Sequence, residues 1–425
     1  MAKQDTGSQR PEEAAEVALD RVRTYGKPSD LRITDLRLAV VASNYDYPLI
    51  RIDTNQGVYG LGEVRDAGHR EDALRFKSFL LGQDPTNVDL IFRTIKVFGA
   101  RGREGGGVSG IEMALWDLTG KVYGVPAYQF MGGKYRDKIR LYADTATPRE
   151  PTPEGYVERV KSRQAMGLTW IKFDVGIGVL KGRVPGGMSG SRLTDKGIGY
   201  MASIVAAVRD AVGPEMPLAI DHFGPLSVGD CIRLGNALEP YSLSWLEDMI
   251  PYWDVEGNRE VTAAINTPTM NGEDVYLLDG FRDLIDRRAV RIVQPDLATA
   301  GGIRETKRIA DYAADREMPC VLHFAGSPIS FMANLHAAAS IQSFLCLENH
   351  ALDIPWWKDL VTGLSEPLIV GGYAAVPEKP GLGVDLNPDV IKEHLRYPGY
   401  FEPTPEWDTR KLAFYIPPTG PRIPA

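Results

Sequence analysis

The chain has 425 residues, of which 44% are hydrophobic and 24% are charged. This balance is typical of a globular protein, and the length allows two or three domains or one large barrel with an accessory domain. The net charge of −8 argues against a nucleic-acid partner. No apolar run approaches the ~20 residues that a membrane span requires, so no membrane association is predicted.

The cysteine pattern and the N-terminus both indicate a cytoplasmic protein. Cys231, Cys320 and Cys346 lie far apart and without CxxC spacing, which predicts neither a disulfide framework nor a zinc site. Residues 1–30 are polar and charged and lack the apolar core of a secretory signal. We interpret them as a polar N-terminal arm.

The next part of the chain has the pattern of an α+β domain. Three strand-like segments come first, and the second leads into an Asn-Gln-Gly turn at residues 55–57; the segments read ITDLRLAVV, LIRIDT and VYGLGEV. A helical stripe follows over residues 109–124. Strands followed by helices predict an α+β domain over residues 31–145.

From residue 146 onward the pattern alternates between short apolar strands and helices. The strand-like segments read TWIKFD, LAID, LSWLED, PTMNGE, VRIVQPD, PCVLH and SFLCLE. This alternation implies parallel strands, and seven units in a row favour a closed barrel over an open sheet. The predicted barrel covers residues 146–378, and the Pro-rich segment 379–425 is expected to pack back on the N-terminal domain.

A long Gly-rich segment separates the first of these strands from the next helix. It begins after Asp174 and continues to about residue 198. Loops of this length in compact domains are usually functional or disordered. We interpret this one as an active-site flap, with a passive insertion as the alternative.

Each strand of the predicted barrel ends on ionisable side chains. In chain order these are Lys172 and Asp174, Asp221, Glu247, Glu273, Asp296, His323 and Glu348. From Asp221 onward they follow one another at intervals of 23 to 27 residues, about one strand–helix unit each. Any one of them alone could cap a helix. Because burying unpaired charge is costly, the whole set in register predicts an active site at the carboxyl ends of the strands.

The residue types in this set point to a particular chemistry. Asp221, Glu247 and Glu273 on successive strands form a cage of hard oxygen ligands that suits one Mg²⁺ with open positions for substrate. Such a metal stabilises the enediolate that forms when a carboxylate substrate loses its α-proton. Asp296 on the neighbouring strand can orient the His323 imidazole, so this pair is the predicted general acid–base.

The order of these motifs resembles the enolase superfamily, in its mandelate racemase-like branch. The resemblance covers about residues 31–390 and includes GIEMALWDLTGK and PAYQFMGGKYRDKI. It implies an α/β fold, a modified TIM (β/α)7β barrel with an N-terminal α+β capping domain. It also implies metal ligands on the third to fifth strands, the Asp–His pair on the sixth and seventh, and Glu348 near the substrate carboxylate. Relatives form symmetric oligomers, so a homo-oligomer with one Mg²⁺ per subunit is expected.

The sequence departs from the family pattern at two places. Many members carry Lys-x-Lys on the second strand, whereas this chain has Lys172-Phe-Asp174. An aspartate has a much lower pKa than the missing lysine, which favours chemistry with one base and leaves Asp174 as a substrate-binding candidate.

Related sugar-acid dehydratases carry a histidine two positions after the third-strand ligand, but here His222 follows Asp221 directly. Strand alternation would point His222 away, although an irregular strand end could rotate it into the site, so a catalytic and a structural role both stay open.

Residues between the capping strands are candidates for substrate contact. Tyr45 and Tyr47 lie in a region that covers the active site of relatives, so we expect them to influence specificity. Arg101 and Arg103 could bind an acidic substrate or simply form an exposed basic loop.

Together these features lead to a hypothesis of function, in which the enzyme is a carbon–oxygen lyase that dehydrates a sugar acid, an aldonate or aldarate. It would remove the C2 proton, lose the 3-hydroxyl and release a 2-keto-3-deoxy acid. His323 would act as base or acid, with His222 or Lys172 as its counterpart. The alternatives are an epimerase, racemase or cycloisomerase on the same scaffold, a lyase that uses Lys172 as a Schiff base, and a non-catalytic binding protein. The stereochemistry of the substrate depends on loop geometry, which the sequence does not determine.

Overall fold

The computed structural model describes residues 28–99 and 102–409. Most of the predicted polar arm, Arg101 and the end of the C-terminal segment lie outside these ranges. Among the described residues, no helix is long and apolar enough to cross a membrane.

The N-terminal domain is a three-stranded antiparallel sheet covered by helices. Its strands, in sheet order, are β1 (Ile33–Val41), β2 (Tyr47–Thr54) and β3 (Tyr59–Glu63). The helices are α1 (Glu71–Leu74), α2 (Lys77–Leu80), α3 (Val88–Ile95) and α4 (Gly106–Tyr123). Helix α4 lies so close to β3 that a Cβ atom on Gly62 would be 2.0 Å from the Gly110 carbonyl oxygen. Glycine is therefore required at this crossing.

The second domain is a closed parallel barrel. The strands after β3 are β4 (Lys138–Ala143), β5 (Ile171–Asp174), β6 (Met188–Ser189), β7 (Arg192–Leu193), β8 (Leu218–Asp221), β9 (Trp245–Glu247), β10 (Thr269–Asn271), β11 (Ile292–Val293), β12 (Cys320–Leu322) and β13 (Phe344–Asn349). Apart from the short pair β6 and β7, these strands form a ring of eight in the described chain, closed by parallel pairing of β13 with β4. The prediction of a barrel with a capping domain is confirmed. The first barrel strand, β4, lies within the range that the sequence assigned to the capping domain.

Helices between the strands cover the outside of the barrel. They are α5 (Pro153–Ala165), α6 (Asp195–Val212), α7 (Val228–Leu238), α8 (Val255–Ala264), α9 (Leu277–Asp286), α10 (Leu297–Ala300), α11 (Gly302–Ala314) and α12 (Pro328–Ser340). Several begin with a capping side chain; Thr194, for example, accepts a hydrogen bond from the Gly197 N–H. Every residue of α12 is buried.

The Gly-rich segment after β5 contains a hairpin beside the barrel mouth, the end of the barrel at which the strands have their carboxyl ends. It contains a 3-10 turn (Ile177–Leu180) and the antiparallel pair β6–β7. The Arg192 Nε lies 2.8 Å from Asp230 Oδ2 on helix α7, which ties the hairpin to the barrel. Its action as a flap stays a prediction.

The C-terminal segment returns to the capping domain. It contains β14 (Val361–Thr362), β15 (Tyr373–Ala375), β16 (Asp385–Leu386) and α13 (Pro388–Glu393). The Leu382 N–H donates to Asp117 Oδ1 at 2.7 Å, and Arg396 Nη2 donates to Asp46 Oδ1 at 2.6 Å. These contacts join the end of the described chain to the first domain.

Candidate active site

A buried lysine lies at the centre of the barrel mouth. Strand β5 points Lys172 inward, and its side chain is 1% exposed. Lys172 Nζ lies 2.8 Å from Asp221 Oδ2, 2.8 Å from Glu247 Oε1 and 2.7 Å from Glu348 Oε1. Burial opposes the charged ammonium, but these carboxylates raise the pKa of Lys172 well above its usual value. Lys172 is therefore a fixed cation, which disfavours the Schiff-base alternative.

Three neutral side chains donate hydrogen bonds to the carboxylates around Lys172 and so orient them. Gln294 Nε2 and Trp245 Nε1 donate to the two oxygens of Glu247, at 2.7 and 3.0 Å. The Tyr142 hydroxyl donates to Glu348 Oε2 at 2.8 Å. Sequence analysis missed these groups, although Trp245 stands two residues before Glu247 and therefore on the same face of its strand.

The predicted acid–base pair is formed, with an arginine of the capping domain beside it. His323 Nδ1 lies 2.7 Å from Asp296 Oδ2. Arg65 is 1% exposed, forms an ion pair with Asp296 and places its Nη1 2.8 Å from His323 Nδ1. Burial would raise the pKa of Asp296, but Arg65 and His323 hold it below its usual value. Asp296 is consequently an ionised partner for the imidazole.

Arg65 could not be identified from the sequence. It follows β3 in the capping domain and contacts Asp296 across 231 residues of chain. No local spacing connects the two positions, because the contact depends on how the domains dock.

The three predicted metal ligands stand at the ends of successive barrel strands. Asp221 and Glu247 meet at Lys172, whereas Glu273 Oε1 accepts from Arg103 Nη2 at 2.9 Å and its Oε2 lies 3.1 Å from His323 Nε2. In the described chain, close groups of possible ligand atoms are formed by Asp174, Asp221 and His222, and by His323, Glu348 and His350.

The charge balance around these carboxylates fits a divalent cation. Burial and then Asp221 raise the pKa of Glu247 well above its usual value. Next to it, Asp248 Oδ1 is buried without a hydrogen-bond partner among the described residues, and burial together with Glu273 raises the pKa of Asp248. Buried carboxylates that outnumber the nearby cations repel one another, and a bound divalent ion would compensate their charge.

His222 lies on the same side of the barrel as Asp221. Strand β8 ends at Asp221, and His222 then adopts a left-handed backbone conformation with φ of 56°. Because this turn interrupts strand alternation, His222 Nε2 comes within 3.8 Å of Asp221 Oδ2 while its side chain stays 64% exposed. Asp221 raises the pKa of His222. The geometry permits a catalytic position that a regular strand would not.

His222 also lines a cavity of about 570 Å³ at the ends of β8 to β10. Other lining residues include Asp221, Asp248, Trp253, Asn271 and Asp274. Trp253 is 72% exposed. Of the three predicted metal ligands, Asp221 lines this cavity.

The other predicted substrate-binding residues have different positions. Asp174 is largely buried, and burial followed by the nearby Asp144 raises its pKa to about 7. Tyr45 is 39% exposed, with its ring 6.3 Å from that of His350. Tyr47 has no exposed surface, and its hydroxyl donates to Asn44 Oδ1 at 2.7 Å. Tyr47 begins the central strand β2 and packs in the capping-domain core, and its influence on specificity stays a prediction.

His350 is a further residue of the mouth, and the sequence analysis did not identify it. Its Nδ1 lies 3.3 Å from Asp144 Oδ2, and its ring centroid is 5.6 Å from that of His323. Burial lowers the pKa of His350, but Asp144 and Glu348 outweigh this effect and bring the pKa to about 9. His350 stands two residues after Glu348 and so faces the same way, a signal that the sequence contained.

Two family models match most of this chain. The N-terminal domain of mandelate racemase / muconate lactonizing enzyme matches residues 29–132, and the enolase C-terminal domain-like model matches residues 155–390. The division agrees with the two domains of the fold.

Individual relatives agree with the family models. A D-xylonate dehydratase of Haloferax volcanii is 37% identical over 388 residues, which cover 89% of this chain and 92% of the relative. A D-galactonate dehydratase of Ralstonia pickettii is 29% identical, with 82% and 90% covered. The crystal structure of a mandelate racemase/muconate lactonizing enzyme-like protein from Rubrobacter xylanophilus has a TM-score of 0.80 and 32% identity, and 87% of this chain matches 99% of that one.

Proposed function

Since the chain belongs to the enolase superfamily, in its mandelate racemase and muconate lactonizing branch, we propose that it is a Mg²⁺-dependent dehydratase of a sugar acid. The observation that carries the proposal is that His323 and the carboxylates around Lys172 lie at the same mouth of the barrel. The dehydratase names of its relatives support the reaction class. The reaction would convert an aldonate or aldarate into a 2-keto-3-deoxy acid and water.

Asp221, Glu247 and Glu273 would hold the metal. When bound there, Mg²⁺ would supply positive charge that stabilises the substrate carboxylate as negative charge develops on it. Lys172, next to Asp221, Glu247 and Glu348, would add a fixed positive charge beside the same group.

His323 is the proposed base. Its Nδ1 faces Asp296, so a proton held there would leave the Nε2 lone pair to accept the C2 proton of the substrate. Glu273 Oε2, which lies 3.1 Å from Nε2, would bind the metal instead. Arg65 keeps Asp296 ionised and in place. His222, which stands on another side of the mouth, is the proposed acid that protonates the departing 3-hydroxyl.

The proposal is tested by screening the Mg²⁺-loaded enzyme against a library of sugar acids, with semicarbazide detection of 2-keto-3-deoxy acids. With a substrate in hand, we expect His323→Asn and His222→Asn each to lower kcat by about 10²- to 10⁴-fold, the usual contribution of a general acid or base. Chelation of the metal should abolish turnover, and added Mg²⁺ should restore it.

His69→Asn is the matched control, because His69 is an exposed histidine of the capping domain. Its kcat should equal that of the wild type. Keto-acid formation that survives chelation would contradict the metal dependence. Deuterium exchange at C2 without loss of water would instead indicate an epimerase or racemase.

A further inference from the structure

The loop between β1 and β2 carries Tyr45 to the barrel mouth. The Tyr45 ring is 6.3 Å from that of His350, which in turn is 5.6 Å from that of His323. Burial and then the nearby Asp66 and Asp144 raise the pKa of Tyr45. Its phenol is therefore neutral around pH 7 and can donate a hydrogen bond to an oxygen of a bound molecule.

This loop, residues 42–46, has no buried anchor of its own. Each of its five residues is partly or fully exposed. Segments with few buried contacts open more easily than the core of a domain. The position of Tyr45 consequently depends on the part of the molecule to which the loop is bound.

The loop is bound to the chain that follows helix α13. The Ala42 N–H donates to the His394 carbonyl at 2.7 Å, and the Arg396 N–H donates to the Val40 carbonyl at 2.8 Å. The Arg396 side chain adds a fork, in which Nη2 and Nε lie 2.6 and 2.9 Å from Asp46 Oδ1. Both ends of the loop, Ala42 and Asp46, are therefore held by one short stretch of the C-terminal segment.

That stretch is itself firmly packed. Ile391 and Phe401, which precede and follow it, are buried. The His394 ring stacks on Trp356, in the chain after the last barrel strand, with 3.8 Å between the ring centroids. Arg396 thus belongs to a fixed part of the molecule, and the loop is the part that it positions.

The loop also contacts the turn that carries Arg65. The Asp46 carbonyl accepts a hydrogen bond from the Ala67 N–H at 3.0 Å. Arg65, however, is 1% exposed and is held by its ion pair with Asp296. Loss of the side-chain bond to Asp46 would therefore loosen the loop and leave Arg65 in place, which affects substrate binding rather than the chemical step.

The exposure of the ion pair limits the size of its effect. The Arg396 and Asp46 side chains are 44% and 27% exposed. Exposed ion pairs usually contribute little, but a forked arginine–carboxylate contact is among the exceptions. We therefore expect the pair to change a binding equilibrium by about three- to fivefold.

We propose that Arg396 is a positioning residue for substrate binding, which fixes residues 42–46 so that Tyr45 contacts the sugar acid at the mouth. The inference rests on the proposed function for the class of substrate. It gives the C-terminal segment a part in substrate affinity in addition to its packing on the capping domain.

Steady-state kinetics of Arg396→Met test the inference, with the sugar acid that the wild type converts fastest in the screen. We expect KM to rise about three- to fivefold while kcat changes by less than about twofold. Arg396→Lys keeps the charge but loses the fork, so its KM should be intermediate. Arg282→Met is the matched control with unchanged KM, because it removes an exposed arginine from its pair with Asp279 on a barrel helix.

A double-mutant cycle separates positioning from a purely structural role. In the Tyr45→Ala background, Arg396→Met should raise KM no further, because its effect passes through Tyr45. Two independent effects would instead multiply. An unchanged KM in Arg396→Met, or multiplied effects in the double variant, overturns the assignment.

Hydrogen exchange of the substrate-free enzyme separates this inference from the proposed function. Arg396→Met should speed amide exchange in the peptide that spans residues 42–47 by about threefold or more, and Arg282→Met should not. Faster exchange in an enzyme that converts no sugar acid would contradict the dehydratase reaction and support the positioning of the loop. Unchanged exchange in Arg396→Met overturns the inference, whatever the enzyme converts.

Discussion

At the residue scale, Lys172 holds together carboxylates from three different strands. Its ammonium lies within 2.8 Å of Asp221, Glu247 and Glu348 and is almost completely buried. Charges in such a place have lost their hydration and depend on one another, so removing one partner costs more than the pair contributes. Lys172 therefore contributes to folding as well as to the site.

We predict that Lys172→Met lowers the free energy of unfolding by about 3–5 kcal/mol in metal-free buffer, the cost of leaving buried charge unpaired. Urea unfolding followed by circular dichroism measures it. Mg²⁺ should restore part of the loss because it supplies positive charge to the same carboxylates. Lys181→Met, at an exposed lysine, is the control, and equal losses in the two variants would contradict the prediction.

At the scale of elements, the barrel is held closed by contacts beyond its strand pairing. Arg163 on α5 donates from both terminal nitrogens to Asp353, with Nη1–Oδ1 and Nη2–Oδ2 distances of 2.7 Å. Asp353 lies just after the last barrel strand, so the pair connects the first barrel helix with the end of β13. Arg163 lowers the pKa of Asp353 to about 2.

The low pKa of Asp353 predicts a pH-dependent contribution to stability. A carboxyl whose folded pKa is below its unfolded value stabilises the fold above about pH 4, and the contribution is lost as pH falls towards 2. Since the Asp353 side chain is 49% exposed, solvent screening reduces the effect to about 1 kcal/mol. Asp353→Asn should be less stable by this amount at pH 7, and the difference should shrink in urea titrations carried out towards pH 3.

Asp359→Asn changes an exposed aspartate in the same segment and serves as the control. It should unfold like the wild type throughout the range. An Asp353→Asn deficit that stays constant from pH 7 to pH 3 would show that ionisation of Asp353 is not the cause.

At the scale of the whole molecule, the capping domain is joined to the barrel by buried acidic and basic groups. Glu112 on α4 accepts hydrogen bonds from the N–H groups of Ile303 and Arg304, at 2.7 and 3.0 Å, at the start of α11. Glu63 accepts from the Ser327 N–H at the start of α12. The free N–H groups at helix starts need hydrogen-bond acceptors, so both contacts fix the orientation of the domains.

We predict that Glu112→Ala lowers the free energy of unfolding by about 2–3 kcal/mol, because buried N–H donors lose their acceptor. Thermal and urea unfolding measure the change, and Glu158→Ala at an exposed position of α5 is the control. Since Arg65 reaches Asp296 from the same domain, kcat should fall too. A stable variant with normal kcat would show that Glu112 does not orient the domains.

The positions of the strand-end residues were determined by the sequence alone. The regular interval of one strand–helix unit, together with parallel pairing, requires Asp221, Glu247, Glu273, Asp296 and His323 to meet at one end of the barrel. Alternation along a strand requires Lys172 and Asp174 to face the same side. These are local or periodic constraints, which a single chain displays.

The tertiary structure decided the features that depend on distant parts of the chain. Arg65 reaches Asp296 only because the capping domain docks over the barrel, and Asp144 meets His350 only because β13 closes on β4. The left-handed turn at His222 and the burial of Tyr47 likewise follow from packing around them. The sequence therefore determined which residues reach the mouth along each strand, while domain docking and ring closure decided which of them touch.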